Sequence, residues 1–209
     1  MAIEEFPPNW NANWGNFVNW MGLFYAAGNY GVIYTDTRSP SLLIKVVNVD
    51  ISDGDSNWQQ ADFLMENWKR NIKGLVKISS ITICEAQSGI LNPIVGNVER
   101  ATSEDAQKIL GVLDLYAGDE VAMWVMEKAD YVGLTHPNLT RDEMIERVAK
   151  AAFNIGIRTG YELTDLKEAN YGFREDGSAF IFDFNLDHNE DLTLDDYKKK
   201  VESLANAKV

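Results

Sequence analysis

The sequence predicts an α+β protein with a β-rich first half and a mostly helical second half. Three observations predict it. Short Val-, Ile- and Leu-rich runs fill residues 30–49, 75–98 and 120–127. The strongest helix signal in the chain lies later, at residues 140–155. Between the runs, turn residues and polar stretches recur at short intervals, the pattern of packed layers of mixed secondary structure.

In chain order, residues 9–25 carry Trp10, Trp14 and Trp20 and read as a helix or loop whose indoles pack over the first half. Residues 30–36 and 41–49 read as two strands, separated by Arg38-Ser39-Pro40, which suits a turn. A helix is expected after Ser56, because Ser56 and Gln59 form a capping-box pattern. Trp58, Ala61, Met65, Trp68 and Ile72 then recur at helical spacing and should form its apolar face. Residues 75–84 and 90–98 read as strands, 104–117 as a short helix capped by Ser103, and 120–127 as a buried strand.

Thr140 and Glu143 make a second capping box, followed by the apolar face Met144, Ile145, Val148, Ala151, Ala152 and Ile155, with Gly156 as the expected stop. Tyr171-Gly172-Phe173 and Ser178–Phe184 flank a hairpin turn at Asp176-Gly177. A last helix, 194–206, should start at Thr193 and bury Leu194, Tyr197, Val201 and Leu204.

A length of 209 residues suits one large domain or one compact two-lobed unit. The formal net charge of −13 disfavours nucleic acid and anionic membranes as partners and favours a basic partner surface. The single cysteine, Cys84, sits in an apolar run and reads as a buried thiol in a reducing compartment. The N-terminus has no signal-peptide pattern and no stretch approaches the roughly 20 apolar residues of a membrane span, so a cytoplasmic protein is expected. His136 and His188 lack metal-ligand spacing and read as solvated surface groups. The acidic run Asp187–Asp191 lacks the glycine-centred loop of an EF-hand calcium site.

The chemistry-bearing constellation is Asp165-Leu166-Lys167-Glu168-Ala169-Asn170, followed by Asp183-Phe184 at the end of an apolar strand. Phosphoryl transfer needs a carboxylate to take the proton of an acceptor hydroxyl. It also needs an amide oxygen and a second carboxylate to hold magnesium against nucleotide phosphates. A loop and a strand end joined by a tight hairpin can supply all three.

Here the chain resembles the protein kinase-like superfamily. The catalytic-loop pattern His-Arg-Asp-Leu-Lys-x-x-Asn followed by Asp-Phe-Gly is matched by Leu163-Thr164-Asp165-Leu166-Lys167-Glu168-Ala169-Asn170 and Asp183-Phe184-Asn185. Ala26–Tyr34, with Gly28, Gly31 and Ile33, resembles the glycine-rich nucleotide loop, and Leu42–Val46 resembles the strand bearing the phosphate-pairing lysine, here Lys45. Trp124–Glu127 resembles the strand leading to the hinge. The resemblance spans roughly residues 24–186.

It implies a two-lobed kinase-like fold, with residues 1–127 as an antiparallel β-rich N-lobe and 128–209 as a small, mostly helical and truncated C-lobe. It also implies ATP and Mg2+ as cofactors. Asp165 would be the catalytic base, Lys167 would reach the γ-phosphate, and Asn170 and Asp183 would bind magnesium. Lys45 would pair the phosphates, oriented by Glu66 or Asp62 from the helix after residue 56. Met126 would guard the back of the adenine pocket, with Glu127 and Ala129 offering backbone groups to the adenine edge. The implied activity is a Ser/Thr kinase acting on a protein or on itself, of a minimal phage or bacterial kind.

The chain also departs from the pattern. Leu163 and Thr164 replace His-Arg, which removes the usual partner of a phosphorylated activation segment. Asn185 replaces a turn glycine, and only Leu186–Val209 follow Asp183-Phe184-Asn185. These departures keep two alternatives open: a pseudokinase that binds a partner without catalysis, and an acidic protein that blocks a basic face of a host factor.

Overall fold

The computed structural model describes residues 17, 19–28, 31–49, 55–85, 116, 118–188 and 192–206. The strand expected at 90–98, the helix expected at 104–117 (apart from Tyr116), Trp10 and Trp14 lie outside them. The chain is α+β and divides into two compact units, Met1–Glu66 with Ile78–Lys128, and Asn67–Lys77 with Ala129–Val209. The second boundary falls one residue after the expected 127/128 division, and the short segment Asn67–Lys77 belongs with the later residues.

The first unit is built on strands β1 (Met21–Ala27), β2 (Gly31–Asp36), β3 (Ser39–Asn48), β4 (Ile78–Glu85) and β5 (Glu120–Glu127), with helix α1 (Asp55–Asn67) between β3 and β4. The sheet order is β1-β2-β3-β5-β4, antiparallel throughout. β3 and β5 are inner strands and are buried on both faces from Leu43 to Asn48 and from Val121 to Met126. That explains their unbroken apolar runs, because alternation is lost when both faces are covered. One face carries Val32, Tyr34, Ile44, Val46, Met123 and Val125 in a core cluster with Phe17 and Cys84. Burial pushes the Cys84 thiol up to about 11, as desolvation disfavours a thiolate.

Of the helix or loop expected over residues 9–25, Phe17, Asn19 and Trp20 are helical, and from Met21 the chain is strand β1 instead. Its pairing with β2 slips between Met21 and Phe24 and again between Phe24 and Ala26. Such bulges break the alternation that marks a strand in sequence. The slip is sealed by Thr35, whose Oγ1 accepts from the Leu23 backbone N–H at 2.9 Å.

α1 forms where expected but starts at Asp55, so Ser56 lies inside the first turn and not at the cap. Its buried face also differs: Asn57, Gln60, Ala61, Leu64 and Asn67 point inward, while Trp58 is 43% exposed. The reason is polar pairing. Asn57 Nδ2 donates to Asn48 O at 3.0 Å, and Lys45 Nζ donates to Gln60 Oε1 at 3.2 Å. A periodicity search that scores only apolar residues selects the wrong stripe when amides are satisfied inside. The helix ends at Asn67 and a 3-10 turn follows at Trp68–Arg70, so Ile72 is not on it.

The second unit holds β6 (Tyr131–Val132), α2 (Arg141–Thr159), β7 (Tyr161–Thr164), β8 (Tyr171–Phe173), β9 (Ala179–Ile181), β10 (Asn185–His188) and α3 (Leu194–Asn206). β6, β8 and β9 form one small antiparallel sheet, and β7 pairs β10 in another. The strand expected from residue 75 begins only at Ile78, because Leu75 instead bridges Ile181 in the second unit.

The Thr140 box is present: Glu143 N–H donates to Thr140 Oγ1 at 3.3 Å and Thr140 N–H to Glu143 Oε2 at 2.8 Å. Gly156 does not stop this helix. It lies buried within it, and Gly160, with φ 78°, ends the helix instead. In α3, Tyr197, Val201 and Ala205 are buried while Leu204 is exposed. His136 is buried, not solvated: its ring meets Tyr131 edge-on at 4.8 Å and its Nδ1 accepts from Asn138 N–H. His188 is exposed. Among the described residues, no helix is long and apolar enough to cross a membrane.

Candidate functional site

The block from Asp165 to Phe184 is pinned at both ends by the pairing of β7 with β10, two short strands without a local sequence signature. Asn185 of β10 lies opposite Thr164 of β7, and Leu186 opposite Leu163. The residues flanking the block are thereby neighbours, although some twenty positions separate them. Leu163, at the place of the kinase-pattern histidine, is fully buried and anchors β7 by packing. Asn185 is extended strand and is not among the positive-φ residues, so the turn expected at that position does not form there.

Inside the block, Asp165 turns the chain with φ 60°, a left-handed conformation that Asp adopts more readily than most residues. The turn lets its own carbonyl accept from Lys167 N–H at 2.8 Å. A 3-10 turn follows at Glu168–Asn170 and brings Asn170 back under Asp165. Asn170 Nδ2 donates to Asp165 O at 2.8 Å and to Asp165 Oδ2 at 2.9 Å. Lys167 Nζ also lies 2.8 Å from Asp165 Oδ2. The Asn170 carbonyl then accepts from Phe182 N–H at 3.0 Å and Asp183 N–H at 3.2 Å. Four residues singled out in the sequence, Asp165, Lys167, Asn170 and Asp183, are therefore joined by one hydrogen-bonded loop.

The chemistry of this donor set suits a hard cation. With its amide nitrogen committed to Asp165, Asn170 has Oδ1 as its remaining side-chain end. Asp183, whose backbone is bonded to Asn170, adds a carboxylate. Magnesium characteristically takes one or two such protein oxygens and completes its shell with water and phosphate. Among the described residues no group of three or more His, Cys, Asp and Glu side chains is arranged to hold a metal, so a cage made only of such residues is not formed there.

In the first unit, Lys45 is buried on the α1 side of β3, within hydrogen-bond reach of Gln60 and 5.3 Å from the centroid of the buried Trp124 ring. Gly31 keeps space beside it: a Cβ there would lie 2.7 Å from Val47 Cγ1 and 3.3 Å from Lys45 Cε. Ile33 is the cross-strand neighbour of Lys45, and Gly28 N–H donates to Gly31 O at 2.9 Å where β1 hands over to β2. Gly28, Gly31, Ile33 and Lys45 thus share one hairpin and its neighbouring strand.

Of the two acids proposed to orient Lys45, Glu66 is exposed and Asp62 half-buried, and Gln60 is an α1 side chain that accepts from it. The apolar periodicity of α1 does not mark Gln60. The signal that finds it is its place in the inward register of Asn57, Ala61 and Leu64. Met126 is buried on β5, Glu127 half-buried at its end, and Ala129 half-buried at the start of the second unit, where its Cβ limits Gly172 to glycine: a Cβ on Gly172 would stand 2.5 Å away.

A scan against protein-family models finds no match to this chain, and a search of curated proteins also finds none.

Proposed function

We propose that the chain is an ATP- and magnesium-dependent phosphotransferase of protein kinase-like, two-lobed construction, acting on a Ser or Thr hydroxyl of a protein or of itself. The observation that carries this reading is the bonding of Asn170 to Asp165. A carboxylate that must accept a hydroxyl proton is useful only if its rotamer is fixed, and Asn170 and Lys167 both hold its Oδ2, which leaves Oδ1 to face an acceptor hydroxyl.

In this reading Asp165 Oδ1 orients the hydroxyl and takes its proton as the oxygen attacks the γ-phosphorus, while the bond from that phosphorus to the β,γ-bridging oxygen breaks and ADP leaves with the electron pair. Lys167 stabilises charge on the transferring phosphoryl group, and Lys45 pairs the remaining phosphates. Asn170 Oδ1 and the Asp183 carboxylate would hold magnesium, which would supply neutralisation of phosphate charge. Gly28 and Gly31 give the backbone close approach to phosphate. Met126, Glu127 and Ala129 serve the adenine.

A second reading, a pseudokinase that docks a protein partner, is favoured by one observation. Gln60 of α1, a neutral amide, accepts from Lys45 where the kinase pattern expects a carboxylate, and Glu66 is exposed. Incubation with labelled ATP and magnesium decides between them. Transfer of label to the chain or to protein in a cell extract, lost in Asp165→Asn, supports the enzyme. Nucleotide binding without transfer in either protein supports the pseudokinase.

A further inference from the structure

The second unit contains a groove of about 630 Å³ on the segment before β4, helix α2 and the β8–β9 turn. Its lining is out of keeping with the chain. Five of its fourteen residues are Lys or Arg, namely Lys73, Lys77, Arg147, Lys150 and Arg174, and Asp176 is its one acid. In the whole chain, acids outnumber Lys and Arg by 32 to 19. The cations come from three separate stretches of sequence and so are gathered by the fold.

The groove is built on a rigid floor. Gly74, with φ 93°, lies so close to α2 that a Cβ there would stand 2.7 Å from Ala151 Cα. On either side of it Ile181 N–H donates to Gly74 O at 2.9 Å and Val76 N–H to Ile181 O at 3.0 Å. Two walls are equally fixed. Arg147 Nη1 donates to Gly177 O at 2.8 Å. Arg174 Nη1 donates to Ser178 Oγ at 3.0 Å, and its guanidinium lies 4.5 Å from the Phe180 ring centroid. A guanidinium carries five N–H groups, so the single bond from Arg147 to Gly177 sets its plane and leaves donors over. Asp176 accepts from Ser178 N–H at 2.8 Å and stays charged, and Lys150 pairs with Glu146 beside the groove, but the five lining cations outnumber these two carboxylates.

We propose that this groove is a binding site for a compact, multiply charged, phosphate-bearing small anion. Fixed guanidinium planes beside lysine point charges match phosphate oxygens, the first by directed bonds and the second by charge. The volume falls within the roughly 300–1,000 Å³ of small-molecule sites. The net charge of the chain selects for compactness. Within about 8 Å, the screening length at physiological salt, a small ligand meets the cations. An extended polyanion reaches beyond them onto a surface of net charge −13 and is repelled. The site rests on residues distinct from Lys45, Asp165, Asn170 and Asp183 and stands whether or not the chain transfers phosphate.

The test is calorimetric titration of the full chain with inorganic tripolyphosphate, without magnesium, in low salt. Wild type and Lys45→Met are both expected to bind one tripolyphosphate at the groove. Combined Lys73→Glu and Lys150→Glu should weaken this by at least about tenfold, since two attractive charges become repulsive. Combined Lys73→Arg and Lys150→Arg should retain it, which separates charge from misfolding. Three results would overturn the proposal: no binding by wild type, binding unchanged by the charge reversal but lost in Lys45→Met, or tighter binding of a duplex oligonucleotide or an acidic phosphopeptide than of tripolyphosphate.

Discussion

Lys45 Nζ lies 3.2 Å from Gln60 Oε1, and the lysine is 6% exposed. A buried ammonium needs acceptors, because burial without compensation is costly. Gln60→Ala removes one of them and should lower stability by about 1–3 kcal/mol, read as a reduced midpoint in urea or heat. Unchanged unfolding would mean that the amide does nothing for Lys45.

Lys45→Met separates structure from chemistry. A methionine keeps most of the side-chain volume in the sheet, so unfolding should shift modestly. MgATP binding and phosphate transfer should fall much further. Near-wild-type transfer would remove β3 from the proposed nucleotide site.

Asp165→Asn should leave MgATP binding almost intact while reducing phosphate transfer by about 10²–10⁴, the usual worth of a general base. Asn tolerates the left-handed backbone at this position as well as Asp does, so the loop geometry should survive. Because Thr164 stands where the kinase pattern has Arg, phosphatase-treated wild type should be as active as untreated protein. Loss of activity after phosphatase treatment would show that a phosphate-dependent switch operates after all.

Asp183→Ala tests the metal. With MgATP at a hundredfold excess over its dissociation constant, wild type should gain about 2.7 kcal/mol of stability. The magnesium-dependent part of that gain should vanish in the variant. A melting curve of wild type unmoved by millimolar MgATP would count heavily against a nucleotide site.

The Thr140–Glu143 box gives a pH prediction. Hydrogen bonds from the Thr140 backbone and then its hydroxyl, with a smaller contribution from the Arg147 charge, hold the Glu143 carboxyl below its ordinary 4.5. A depressed folded-state value means that the stabilisation is complete above the unfolded value and is lost as pH falls through the folded one. Stability should therefore decline below about pH 4.5, and Glu143→Gln should flatten that decline in a series of melts. Thr140→Ala should cost about 1 kcal/mol at neutral pH.

Much of this architecture was legible because local signals and tertiary packing agree. The apolar runs of β3 and β5 mark strands covered on both faces, and the Thr140 box marks the start of α2. The Asp165–Asn170–Asp183 spacing is closed by a hairpin whose Asp176-Gly177 turn is plain in the sequence. The failures arise where tertiary contacts overrule local pattern. Bulges hide β1, and amides satisfied by backbone and lysine take the inward positions of α1. β7 and β10 are four residues each and stabilise one another across a long insertion, so neither carries a local signature. Gly156 resembles a stop signal, but it sits where packing is tight: a Cβ there would stand 3.1 Å from Tyr197 Oη and 3.3 Å from Tyr161 O.

The backbone of Asp165, at φ 60°, sets protein engineering against function. A non-glycine residue in that region costs of order 1 kcal/mol or more, and glycine would relieve it. A search for heat-resistant variants selecting only on folding is thus drawn toward glycine at the position where the proposed chemistry needs a carboxylate. Selection that also demands phosphate transfer must keep the less comfortable residue, and added robustness must come from elsewhere in the chain.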